Sequence, residues 1–147
     1  MGDMDPLARL TAVADIANLV ARRCRSLDAQ DWTAYAECHT PDVVSWAIAS
    51  EQGLAQPTQG IDAVIGFLRE ELAGMTTVHH VHSPEITLTS DATANGTWAM
   101  EDRLWWTQDG REHWLHGFGH YEETYVKADG RWLISSRRLV RTRVDRG

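Results

Sequence analysis

Two cysteines, Cys24 and Cys38, are all that the 147 residues provide. They form no CxxC pair and follow no secretory leader. A disulfide-stapled scaffold is thereby excluded, and a reduced, cytoplasmic protein is expected. No apolar run approaches the roughly 18 residues that a membrane-spanning helix needs, so no membrane partner is expected. Positive charge is scarce too: the formal net charge is −7 and the pI about 5.4, which argues against a nucleic-acid partner. Lysine is nearly missing, with Lys127 alone beside thirteen arginines, and there are no repeats or low-complexity segments. Half of the basic residues lie after residue 126, in a strand-like stretch that either holds an anion or pairs with the acidic remainder.

What remains is an ordinary globular composition, 43% hydrophobic and 24% charged, in a chain of one-domain length. Such a chain, taken as a single domain over 1–147, buries roughly two-thirds of its unfolded surface. Seven tryptophans supply large rigid walls for a core or a ligand cavity.

Periodicity divides the chain into a helical front and a stranded back. Pro6 suits the first turn of a helix that Leu7, Leu10, Val13, Ile16, Val20, Cys24 and Leu27 continue at helical spacing. A shorter helix, Asp31–His39, is capped by Asp31, and Pro41-Asp42 breaks the chain before a strand over Val43–Ala49. Glu51–Gly60 reads as a loop, and a third helix runs from Asp62 to Leu72 with Gly74 at its end. Four strands follow: His79–Leu88 (interrupted near Pro84), Thr97–Trp106, His113–Val126 and Arg131–Arg143, the last pair joined by the hairpin signal Asp129-Gly130. The expected class is α+β, a cone-shaped curved antiparallel sheet wrapped around N-terminal helices, whose open mouth offers a pocket.

Several polar residues fall where apolar ones are expected. Read with period two, Trp98, Met100, Leu104 and Trp106 share a face with Asp102, and a carboxylate there is costly unless it meets a cation, a donor or a pocket. Arg23 sits near the apolar stripe of the first helix, and Asp28 ends it. Arg141 alternates with Leu133 and Leu139, as a cross-strand ion pair or an anion clamp would. His79 takes one face of its strand and His80 and His82 the other; HxH without a third ligand is a weak metal signal, so no metal is expected and a general acid or base is favoured. Tyr121 and Tyr125 share a face with Gly117 and Gly119, which leave room there. His116 and His120 lie on the opposite face, as outer or interface residues.

Four stretches carry a family resemblance in the right order: RRCRSLDAQDW at 22–32, HHVHSPEI at 79–86, NGTWAMEDRL at 95–104 and KADGRWLISSRRLVR at 127–141. With them the chain resembles the SnoaL-like branch of the nuclear transport factor 2-like superfamily, and most of all the bile acid 7α-dehydratase and scytalone dehydratase types. The resemblance implies a cone-shaped α+β barrel assembled as a homo-oligomer, a trimer before a dimer. It implies cofactor-free chemistry on a hydrophobic, polycyclic, steroid-like or polyketide-like substrate. Residue by residue it implies a catalytic pair of His79 and Asp28, an acidic residue at Asp102 and an arginine at Arg141. One position departs: the dehydratases carry a tyrosine where this chain has Arg23, and a guanidinium donates no proton but stabilises an oxyanion or a leaving anion.

The expected activity is therefore a dehydratase-like lyase or an isomerase working by proton transfer. His79 is the base, Asp28 orients it, and Asp102 assists the leaving hydroxyl or contacts a polar substrate group, for which it must keep a proton. Arg23 and Arg141 stabilise negative charge, while Trp46, Trp98 and Tyr121 shape the pocket. The alternatives are a cyclase, an epoxide hydrolase or a ketosteroid-isomerase-like enzyme with the same dyad, and a non-catalytic small-molecule binding module.

Overall fold

The computed structural model describes residues 4–46 and 56–147. Helix α1 (Pro6–Asp28) starts where Asp5 accepts a hydrogen bond from the Ala8 amide at 3.1 Å, with Pro6 in the first turn. Its buried stripe, Ile16, Leu19, Val20, Cys24 and Leu27, also contains Arg23. Asp31 caps α2 (Trp32–Glu37) through the Ala34 amide, as expected. That helix ends two residues sooner than its pattern suggested, because Pro41 forces the preceding backbone into the extended region and β1 (His39–Ser45) begins at once. Of the strand expected over Val43–Ala49, residues 47–49 lie outside the described part of the chain.

A two-residue strand, β2 (Thr58–Gln59), falls inside the expected loop and pairs with β1. Helix α3 (Ile61–Glu71) follows, then four long strands: β3 (Thr76–Leu88), β4 (Thr93–Gln108), β5 (Arg111–Ala128) and β6 (Arg131–Arg146). The sheet order is β2-β1-β6-β5-β4-β3. It is a mixed sheet rather than a purely antiparallel one, since β1 runs parallel to β6. The β5–β6 connection is the expected two-residue turn, Asp129 and Gly130 both having positive φ (50° and 76°).

Bulges curve the sheet and reassign its faces. In β3 the irregularity near Pro84 is one such bulge, with Ser83 at φ 49°. In β6 the register shifts against Thr124/Tyr125, which turns Trp132 and Ile134 inward with Arg137 and Leu139. Leu133, expected on the Arg141 face, is therefore not one of the buried residues of this strand. One core cluster gathers Ile16, Val20, Trp98, Met100, Tyr125 and Ile134, and a second gathers Leu27, Tyr35, Val43, Val64 and Leu72. Among the described residues no helix is long and apolar enough to cross a membrane.

Candidate active site

Between helices and sheet lies a cavity of about 310 Å³ whose walls include Leu27, Leu68, Leu72, Leu104 and Leu139. Its polar lining comprises Arg23, Tyr35, His79, Asp102, Tyr121, Arg137 and Arg141, among others. A wider, more open groove of about 560 Å³ beside α1, α2 and the Gly130 turn carries no histidine.

Asp28, the last residue of α1, locks the helix end onto β3 with three hydrogen bonds. Its Oδ2 accepts from the His79 amide at 2.9 Å, and its Oδ1 accepts from the Thr77 hydroxyl at 2.9 Å and lies 2.7 Å from His79 Nδ1. Burial works to raise this carboxyl, and the His79 ring, the His79 amide and Thr77 outweigh it, so the group sits below the usual carboxylate range. With an ionised carboxylate as the acceptor, the ring proton belongs on Nδ1 and Nε2 carries the free lone pair.

The imidazole is only 8% exposed, and its Nε2 lies 3.8 Å from Asp102 Oδ2. Sheet register explains the meeting: His79 pairs with Asp102, which in turn pairs with Gly117 on β5. Gly117 has no side chain, so Arg141 on β6 passes over it to reach Asp102, donating from both terminal nitrogens at 2.6 and 2.8 Å. That bidentate geometry is the one a carboxylate makes with a guanidinium. Both Asp102 carboxylate oxygens thus accept from Arg141.

Behind Arg137, in the core, Glu123 accepts from Arg137 Nε at 3.0 Å and from the Tyr125 hydroxyl at 2.5 Å, and Tyr125 accepts from Trp98 Nε1 at 2.8 Å. Burial pushes the Glu123 carboxyl up, against the pull of Arg23 and Tyr125. Arg23, 3% exposed, lies with Cζ 5.7 Å from the Tyr35 ring centre and 5.1 Å from that of Tyr121. Burial tends to lower its pKa, but the nearby phenols, Cys24 and Glu123 raise it further, and the group is a permanent cation.

The SnoaL-like domain family profile matches residues 8–138. The chain belongs to the SnoaL-like domain family. Solved structures agree on the fold. A scytalone dehydratase candidate from Novosphingobium aromaticivorans is 22% identical with a TM-score of 0.79, over 94% of this chain and 89% of that one. A hexachlorocyclohexane dehydrochlorinase, LinA Type2, is 16% identical with a TM-score of 0.83, over 97% and 93%. The Kfla4162 protein from Kribbella flavida is 20% identical with a TM-score of 0.83, over 93% and 95%. At these identities the likeness shows the fold.

In this SnoaL-like domain the cavity brings together His79, Asp102, Arg23, Arg141 and Tyr121, with Asp28 directly behind His79. Two expected wall residues are elsewhere. Trp98 is 4% exposed and packs in the core against Tyr125, since strand parity sets its face but not its depth in the cone. Trp46 is half-buried, its amide bonded to the Arg137 carbonyl, and it does not line the cavity. Thr77, Glu123 and Arg137 went unnoticed in the sequence. Each carried a signal: Thr77 shares the parity of His79, and Glu123 stands between Tyr121 and Tyr125 on their face, opposite Arg137 in register. Among the described residues no group of His, Cys, Asp and Glu could hold a metal ion.

Proposed function

We propose that this SnoaL-like domain is a cofactor-independent lyase or isomerase that moves a proton on a hydrophobic cyclic small molecule. The observation that carries this reading is the Asp28–His79 contact of 2.7 Å, with the second ring nitrogen beside the cavity. His79 Nε2 removes a proton from a carbon activated by a neighbouring electron-withdrawing group. Asp28 fixes the tautomer and stabilises the imidazolium that forms. Positive charge at Arg23 and Arg141 lowers the energy of negative charge developing on the substrate. The imidazolium then returns its proton, to the departing oxygen in an elimination or to another carbon in an isomerisation. A volume of about 310 Å³ with leucine walls suits a compact ring system.

The test is turnover of a panel of hydroxylated and halogenated cyclic ketones, followed by absorbance of the conjugated alkene and by deuterium uptake from heavy water. His79→Gln should slow the proton transfer by about 10²–10⁴-fold, the usual worth of a positioned base. Deuterium uptake without alkene formation would mark an isomerase. Binding across the panel with neither product nor uptake would make the domain a binding module and end the catalytic reading.

A further inference from the structure

Two buried guanidiniums line the inner part of the cavity, and a single carboxylate answers them. Arg23 and Arg137 are 3% and 4% exposed, and both approach the ring of Tyr121, their Cζ atoms 5.1 and 4.5 Å from its centre. Glu123 is committed to Arg137 and Tyr125. Asp102 is committed to Arg141. Arg23 has no carboxylate within salt-bridge distance among the described residues; it bonds to Cys24 Sγ at 3.9 Å, and its Nε has no partner. Nη2 of Arg137 is likewise unpartnered among them. The surrounding phenols cannot supply the missing charge, because burial holds the hydroxyls of Tyr35 and Tyr121 above their ordinary range and both stay neutral. A guanidinium cannot shed its proton, and burying one without a counter-charge is costly.

We propose that the cavity takes a substrate that is already an anion, an organic acid whose carboxylate is seated on Arg23 and Arg137. The planar guanidinium fork matches a carboxylate bidentately. The leucine walls accommodate the apolar body of such a molecule, which an inorganic ion lacks. The inference rests on reading this cavity as the substrate site, and it adds the charge class of the substrate to that reading. Arg23 then holds the substrate's own carboxylate before reaction, in addition to facing the charge that develops during it.

The experiment is calorimetric titration of the whole protein with 2-naphthoate and with its neutral isostere 2-naphthamide. The naphthoate should bind the unaltered protein at least tenfold more tightly. Arg23→Gln should bring the ratio to within about twofold, whereas His79→Gln should leave it intact. Equal affinity of the two compounds for the unaltered protein overturns the proposal, as does a full preference surviving in Arg23→Gln. Should that variant fail to fold, the comparison on the unaltered protein still decides. Arg23→Met adds a readout on the ligand-free state: an uncompensated cation predicts an unchanged or raised melting temperature, and a structural arginine predicts a fall. Turnover retained by His79→Gln would refute the catalytic reading without touching the anion preference, so the two failures are separable.

Discussion

Gly117→Ala is a one-methyl perturbation aimed at the centre of the site. A Cβ on residue 117 would overlap Nη1 of Arg141 and Oδ1 of Asp102 and would lie 2.8 Å from Arg141 Cζ. Strand β5 cannot move aside, because residue 117 is paired on both flanks, with Asp102 on β4 and Val144 on β6. The ion pair must yield instead. Overpacking of this kind costs about 1–3 kcal/mol, and a broken buried pair costs about 3–5 kcal/mol. Because the flexible Arg141 arm can swing partly clear, the expected loss is about 2–3 kcal/mol, or roughly 5–10 °C in Tm for a domain of this size. Urea unfolding and thermal melts followed by circular dichroism measure it. Combined with Arg141→Met, the alanine should add little, since both remove the same pair. A change under about 0.5 kcal/mol, or full additivity with Arg141→Met, would refute the geometry.

Gly66→Ala is the natural contrast: residue 66 lies mid-way along α3 with nothing within 4 Å of its added Cβ, so it should gain about 0.5–1 kcal/mol by the same unfolding assay. His39 gives a pH dependence. Burial, reinforced by Arg23 and opposed by the hydrogen bond to the Tyr35 carbonyl, pushes its pKa down to about 4. The unfolded chain takes up this proton near pH 6.5 and the native one refuses it until about 4, so stability falls as pH drops between those values, by about 2 kcal/mol at pH 5. His39→Gln should flatten that part of the stability–pH curve; parallel curves would show that His39 is not the group responsible.

Local chemistry made much of this fold legible. Asp31 as a cap and Asp129-Gly130 as a hairpin turn act through their own backbone, and both appear where the sequence places them. Strand parity in β4 likewise put Asp102 on the cavity face, at 4% exposure. What escaped was non-local. The parallel pairing of β1 with β6 joins segments about a hundred residues apart, and bulges flip the parity of β6 between Ile134 and Arg137. In the site, Asp28 and His79 are 51 positions apart, and their contact depends on how a helix end docks on a strand. The family resemblance, not spacing, linked them. Trp98 shows the limit of periodicity most plainly: its face was right and its depth wrong.

The central claim is that Asp28 holds His79 as a base with Nε2 free. Two-bond proton–nitrogen spectra of the labelled protein at neutral pH read this directly. The expected spectrum has a protonated Nδ1 and a bare Nε2 on His79, a pattern that Asp28→Asn weakens. A His79 ring protonated on Nε2, unchanged by Asp28→Asn, would contradict the account.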